Sequence, residues 1–359
     1  MGKIFKTGCV LCAQNCGLEI EVENNRIVKV RGDKSNAKSE GYICRKGLNV
    51  AYHQHNADRL KYPLKKVRDK FERISWDQAI DEIATKLKGI IDEYGPRSFA
   101  YMGGGGQGCH FEAAFGVRLM RSLGSQYQYS ALAQEFSGAF WVCGRTHGKQ
   151  YLHDQPDVDN TDVLLIFGWN GMQSHQIPQA PRKLQRLSKD KDKMLIVVDP
   201  RKTETAKLAD IHLPIRPGTD ALLLKAMISL ILKEGWENKA YLADHTSGFD
   251  SVKSCFENFD ARAAVKTCSL DFEQVREVTR LYATRKSSLR YDLGLFMGRH
   301  SALNSYLIVI LQAICGRLCS PGGNVINGHL MPIGPHTDER DSKIWRTMAT
   351  NSFPVCGSF

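Results

Sequence analysis

The 359-residue sequence lacks any uninterrupted apolar run of membrane-spanning length. Its longest apolar stretches, such as Ser301 to Ile314, carry polar residues at helical spacing. Direct insertion into a bilayer is therefore not expected. No apolar segment with a small-residue cleavage site, and no twin-arginine leader, precedes Cys9, so nothing routes the eleven cysteines toward an oxidising compartment. A reducing cytoplasm is the expected setting. Internal repeats and low-complexity tracts are also missing. Acidic residues are in short supply: 49 Lys and Arg face 38 Asp and Glu, for a formal charge of +11, and residues 1–73 alone hold sixteen basic against eight acidic side chains. Such an excess invites a nucleic-acid reading, but no recognised nucleic-acid module accompanies it. The basic N-terminal region reads either as a solvated surface or as a positive setting for a buried anionic group.

What is present is 42% hydrophobic residues, enough for two or more lobes with cores. "GLEIEVENNRIVKVRG" alternates apolar and polar residues about Asn24-Asn25, which predicts a hairpin, and with the cysteines around it this gives a small N-terminal lobe over residues 1–60. In "ISWDQAIDEIATKLKGIIDEYGP" Ser75 caps an amphipathic helix, Gln78 completes a capping box and Gly95-Pro96 stops it. Strands then alternate with helices through "SFAYMG", "TDVLLIFGWN", "KMLIVVDP", "DIHLPI" and "SSLRYDLGLFMG". That alternation predicts an α/β chain whose parallel sheets are doubly wound over residues 61–359. In such sheets ligands sit beyond the carboxyl ends of the strands, so "MGGGGQG", "GWNGMQSH", "VDPRKTET" and "GLFMGRH" read as one rim.

Cys9, Cys12 and Cys16 crowd into eight positions, and Cys44 follows singly at a distance. Zinc sites usually bring two pairs of close ligands, whereas three crowded thiolates suit three corners of a 4Fe–4S cube. The spacing favours iron–sulfur and leaves zinc, or buried and redox thiols, as alternatives. The remaining cysteines, Cys109, Cys143, Cys255, Cys268, Cys315, Cys319 and Cys356, read mostly as small core residues.

Taken in order, the C-x₂-C-x₃-C-x₂₇-C lobe, "CRKG", "YPLKKV", "RISWDQAIDEIATKL" and "VDPRKTETAKLADIHLPIRPGTDALLL" resemble the molybdenum/tungsten bis-pterin guanine dinucleotide oxidoreductases, the dimethyl sulfoxide reductase family. Formate dehydrogenases, nitrate reductases and the non-redox acetylene hydratase are members. The resemblance implies a 4Fe–4S cluster on the four cysteines, with Lys46 between cluster and pterin as an electron relay. It implies molybdopterin guanine dinucleotide carrying Mo or W, with Gly168 and Asn170 near a pterin phosphate. Asp199 would accept from a guanine edge, Arg201 and Thr203 would face phosphate or ribose, and Gly218, Thr219 and Asp220 would stand at a helix N-terminus. A rival reading rests on Gly103, Gly105 and Gly108, which fit G-x-G-x-x-G between strand and helix. The acidic residue that a nicotinamide site wants about 20 positions later is missing from "LGSQYQYSALA".

The protein ligand to the metal is the weakest match. Counting back from His147-Gly148, which resembles a "THG" in acetylene hydratase, places it at or next to Glu135, a hard carboxylate donor. Cys143 through a shifted loop, or no protein ligand, are the alternatives. Arg145 could hold a carboxylate substrate in bidentate fashion and His147 could move protons. Family members are also much longer, which implies a truncated product, a split gene or a subunit needing a second chain for the C-terminal half. The expected activity is a two-electron oxidation or reduction of a small molecule, formate in one version, with electrons passing singly through the cluster to a partner protein. Hydration at the metal as a Lewis acid is the second reading. A non-catalytic electron-transfer or assembly module is the third.

Overall fold

The alternation about Asn24-Asn25 does build a hairpin. Strands β1 (Lys3–Gly8), β2 (Gly17–Glu23) and β3 (Arg26–Gly32) pair antiparallel in the order β1-β2-β3. Asn24 and Asn25 take φ of 48° and 58°, the left-handed pair that a two-residue hairpin turn demands. The computed structural model describes residues 2–12, 14–103, 110–148, 152–174 and 176–326. The chain divides into two units, residues 1–131 and 132–359, so the cysteine lobe and the α/β segment that follows it share the first unit.

Beyond β3 lie two short helices, α1 (Arg45–Leu48) and α2 (Val50–His55), and a second hairpin of β4 (Leu64–Val67) and β5 (Lys70–Arg73). Helix α3 (Trp76–Tyr94) starts as its sequence predicts, with Ser75 Oγ accepting from the Gln78 amide at 3.1 Å. The capping box is only half made, because the Gln78 side chain donates to Glu82 at 3.0 Å instead of reaching back to Ser75. Strands β6 (Ala100–Met102) and β7 (Tyr127–Tyr129) pair in parallel across helix α4 (His110–Ser122). Of the glycine-rich stretch between β6 and α4, only Gly103 is described; Gly105 and Gly108 lie outside the described residues.

The second unit opens with α5 (Leu132–Glu135), α6 (Ser137–Thr146) and the short strand β8 (Asp154–Pro156). Next come β9 (Val163–Phe167), α7 (Gly171–Ser174), α8 (Ala180–Leu187), β10 (Met194–Val198), β11 (Ile211–Leu213) and α9 (Asp220–Glu234). Four helices follow, α10 (Lys239–His245), α11 (Phe249–Glu257), α12 (Ala261–Thr267) and α13 (Phe272–Thr284). The described chain ends through β12 (Ser287–Tyr291), α14 (Leu293–Phe296), α15 (Ser301–Ile314) and β13 (Asn324–Ile326), the last pairing with β8. Strand β12 is shorter than its apolar run suggests, since the Asp292 carboxylate accepts from the Leu293 amide and turns the chain into α14.

The sheet runs β11-β10-β9-β12, every pair parallel. From β9 the chain steps outward to β11 and then returns to the other side of β9 as β12, which makes the gap between β9 and β12 a topological switch point. Helices cover both faces. Val163, Leu165, Phe167, Ile196, Val198 and Leu289 point into a core with α9, α13 and α15, while Leu164, Ile166, Leu195 and Val197 point into a second one with α8 and Trp169. A strand buried on both faces has no polar side to show, which is why β9 reads as an unbroken VLLIF.

A buried polar network holds the edge at β12. Asp154 accepts from Gln312 Nε2 at 2.7 Å, from Asn324 Nδ2 at 2.5 Å and from the Tyr291 hydroxyl, and Asn324 also bridges the Leu289 amide and carbonyl.

Candidate functional site

The first site forms where β1 and β2 are joined. Gly8 and Gly17 are the last residues of their ladder, so Cys9 and Cys16 begin and end the connecting loop, closed by the Cys9 amide donating to the Cys16 carbonyl at 2.8 Å. Asn15 stiffens it from within, its Nδ2 donating to the Cys9 carbonyl. Cys44 reaches the same place because β3 ends at Gly32, where a Cβ would stand 2.1 Å from the Gly41 carbonyl oxygen. Only glycine lets the 33–44 loop pack that close, and the loop is tied down by the Gly17 amide donating to Ser39 Oγ at 3.0 Å.

All four cysteines are thiols without disulfides, Cys9 buried and the others half-buried. Burial pushes the Cys9 thiol up, and charge on Cys12 and Cys44 raises it further, while the Leu11 amide and Lys46 pull it down. Cys16 is raised by burial and then by Cys12, Cys9 and Cys44, with Lys38 opposing. Each thiolate thus feels the others, and a cationic group among them would relieve that repulsion, so the set fits an iron–sulfur cluster. Among the described residues no group of three or more His, Cys, Asp or Glu could hold a metal ion, the four cysteines included. A cube takes one thiolate at each of four irons and needs no common point. Lys46, exposed at the start of α1, is the cation beside Cys9. Tyr42 was not singled out from sequence, yet it lies against Cys44, Cys16 and Cys12, and burial first and their charge second push its hydroxyl up to about 12.

The second site is the carboxyl edge of the four-stranded sheet. At the switch point Gly168, φ 56°, meets Gly294 so closely that a Cβ on it would lie 2.9 Å from Gly294 backbone, and the Gly294 amide donates to the Gly168 carbonyl at 3.1 Å. Asn170, one turn on, spends its amide within the protein. Nδ2 donates to Glu204 at 2.6 Å and Oδ1 accepts from Thr205 Oγ1 at 2.8 Å, which pins the loop after β10 to the end of β9. Thr203 is buried, its Oγ1 accepting from the Ala206 amide at 3.1 Å, so its hydroxyl props that loop rather than facing outward. Arg201 is exposed, and its amide donates to Asp199 Oδ1 at 2.8 Å. Gly218, Thr219 and Asp220 do stand at a helix start, that of the fifteen-residue α9. Burial, and then the charge of Asp199, push the Asp220 carboxyl up, so the two carboxylates belong to one neighbourhood.

Helix α6 separates the proposed metal-site residues. Glu135 precedes Phe136, whose ring packs 5.2 Å from Phe296 just past β12, so it sits at the carboxyl edge; it is half-buried with no partner among the described residues. Arg145 and His147 lie at the far end of α6, roughly 15 Å away at 1.5 Å per residue. They line a different cavity, of about 320 Å³, with Tyr241, His245 and Tyr306. Among the described residues no hydrogen bond or ion pair joins them to Glu135, and His147 feels the charge of Asp154. Arg145 stacks on Trp141 at 3.9 Å. His147 Nδ1 and Thr146 Oγ1 share a hydrogen bond at 2.9 Å, and burial pulls the His147 pKa down. Cys143 is a core residue, its Sγ 3.8 Å from His153 Nδ1, and burial followed by Asp154 pushes its thiol up to about 12. That setting suits a neutral thiol better than a metal ligand. Cys268 and Cys315 are likewise buried, whereas Cys255 and Cys319 are exposed and depart from the core reading; Cys109 and Cys356 lie outside the described residues.

A family model described as molybdopterin oxidoreductase matches residues 59–350, and one described as the molybdopterin oxidoreductase Fe4S4 domain matches residues 3–56, which include all four clustered cysteines. The F420-dependent formate dehydrogenase subunit alpha of Methanocaldococcus jannaschii is 30% identical over 333 residues, 90% of this chain and 47% of that one. Acetylene hydratase of Syntrophotalea acetylenica is 31% identical over 340 residues, covering 92% and 44%. The solved structure of acetylene hydratase from Pelobacter acetylenicus matches with a TM-score of 0.72 at 30% identity, over 87% of this chain and 43% of that one. The chain spans about half the length of the curated relatives it matches. The Fe4S4 match supports iron–sulfur over the zinc alternative. Described helices include none long and apolar enough to cross a membrane. With the two models following one another along nearly the whole chain, it belongs to the molybdopterin oxidoreductase family, the dimethyl sulfoxide reductase family that its motifs resemble.

Proposed function

We propose that this chain is the cluster- and pterin-binding part of a two-electron oxidoreductase, with formate as the first substrate to test. The observation that carries the reading is the set of four cysteines, Cys9, Cys12, Cys16 and Cys44, brought together by the β1–β2 loop and the 33–44 loop. A four-thiolate cluster with Lys46 nearby in the chain would serve as a relay for single electrons, the use a redox reaction makes of it. The pterin-bound metal, Mo or W, supplies the two-electron couple. Asp199 and Asp220 are acceptor-only groups when ionised and complement the N–H edge of a guanine, so the guanine dinucleotide form of the pterin fits this edge. Gly168 keeps the switch point free of side-chain atoms, and Asn170 holds the neighbouring loop in place for the phosphates. Glu135 offers a carboxylate at the same edge, either to the metal or to a substrate proton.

Formate oxidation releases carbon dioxide, one proton and two electrons. Cys9, Cys12, Cys16 and Cys44 would hold the cluster, which would pass the electrons singly, with Lys46 beside it, to an electron-transfer partner. The test is anaerobic purification from the native host, with metal and nucleotide analysis and an assay of formate against a viologen acceptor. About four irons per chain, Mo or W, released guanine nucleotide and formate-dependent reduction of the cluster are expected. One zinc without an electron paramagnetic resonance signal would overturn the reading. Hydration is the second reading, favoured by the match to the acetylene hydratase structure; turnover of acetylene with no change in the cluster's redox state would select it.

A further inference from the structure

The turn between α9 and α10 holds a carboxylate that neither the cysteine lobe nor the sheet edge uses. Gly235 ends α9 at φ 68°, the left-handed conformation that helix C-termini favour, and Asn238 Oδ1 accepts from the Tyr241 amide at 3.0 Å to start α10. The two residues between are fixed from both sides. The Trp236 amide donates to the Ile231 carbonyl at 2.9 Å, and the Asn238 amide to the Ile314 carbonyl at 2.7 Å. Glu237 is thereby turned inward, its side chain only 10% exposed. Lys239 Nζ lies 3.6 Å from Oε1, but the lysine is 80% exposed and stands mostly in solvent. Oε2 is buried and receives no hydrogen bond among the described residues. A buried carboxylate oxygen without a donor is costly, and a bound donor would relieve that cost.

Glu237 lines a cavity of about 410 Å³ walled by α9, α10 and α11, a size that holds a small ligand. Leu232, Leu242 and Phe249 give it an apolar side, and Asp250 adds a second carboxylate. The two lysines around it have other company: Lys253 pairs with Glu257 at 3.3 Å, and Lys239 reaches water. The unmet charge is therefore negative. We propose that this cavity binds a small organic ammonium ion, which donates an N–H to Glu237 Oε2 and lays its apolar body against Leu232, Leu242 and Phe249. The formal charge of the chain is +11, so its overall field repels such a ligand and the local carboxylates must supply the recognition. The inference is independent of which reaction the enzyme performs.

The test is isothermal titration calorimetry at neutral pH on the protein as purified from its native host. Benzylamine is the probe, and benzyl alcohol, a similar shape without the charge, is the control. Benzylamine should saturate one site per chain. Benzyl alcohol should bind about tenfold more weakly or worse, and Glu237→Gln should weaken benzylamine by about tenfold or more. Ala243→Phe leaves Glu237 in place and puts a ring into the cavity from an exposed position on α10. It should lose benzylamine binding with circular dichroism and melting temperature unchanged, and it decides the matter if Glu237→Gln does not fold. No saturable binding to the unsubstituted protein, equal affinity for benzyl alcohol, or full affinity in either folded variant would overturn the proposal.

Discussion

Two halves of one chain have solved the burial problem to different extents. Among the described residues of unit 1, the buried apolar side chains are Cys9, Leu18, Ala79 and Met120, while twenty large hydrophobics are exposed; the described residues of unit 2 expose four and bury whole strands. Unit 2 closes its sheet with helices on both faces, so the hydrophobic effect alone can hold it. Unit 1 is short of core and keeps its order around four cysteines and a set of loop hydrogen bonds. Small lobes of that kind depend on a bound metal group or a partner for the stability that burial does not provide. The lesson is that the cysteine-bearing unit and the unit with the four-stranded sheet are stabilised by different physics, and each fails in its own way.

The largest expected effect breaks unit 1 alone. Cys44→Ala should abolish iron retention and the cluster's visible absorption, and calorimetry should show the unit 2 transition unmoved. In the converse experiment, Leu165→Ala opens a cavity in the middle of β9 and should cost unit 2 about 3–4 kcal/mol, read by denaturant melts, while iron content is retained. Asn324→Ala leaves Asp154 and the Leu289 backbone short of partners inside that unit, for a loss of about 2–3 kcal/mol. Asp220 sharpens the contrast between stability and function. Its carboxyl is pushed up by burial and Asp199, so the folded state holds its proton more tightly than the unfolded one, and stability falls as pH rises above the ordinary value of 3.8. Asp220→Asn should therefore stabilise unit 2 at neutral pH by on the order of 1 kcal/mol and weaken retention of guanine nucleotide.

The smallest effect is a pH dependence. Burial lowers the His147 pKa from 6.5. As pH falls through 6.5 the unfolded chain takes up that proton first, so unit 2 should lose stability below 6.5, and His147→Gln should flatten the melting temperature there.

Much of this architecture is legible in the residues. Val163–Phe167 has no polar positions because both faces of β9 are covered, and the Asn24-Asn25 turn and Ser75 cap follow from local geometry. The cysteine spacing reads directly because three ligands lie in one hairpin loop. The capping box fails because Glu82 competes for Gln78, a contact that no spacing rule contains. Thr203 and Asn170 look like ligand contacts within their motif, and the tertiary structure adds that they also tie their loops to Ala206, Glu204 and Thr205, which the motif does not show. Arg145 and His147 are close to Glu135 in sequence and a helix length away in space.

The sequence by itself determined the family, the cluster cysteines and the order of strands and helices, since these rest on residue type and local periodicity. Only the tertiary structure decided which side chains share an edge. The return of β12 beside β9 creates the switch point, and the approach of Gly168 to Gly294 keeps it clear. Those outcomes depend on contacts between residues more than a hundred positions apart, where packing and excluded volume act and sequence spacing carries no information.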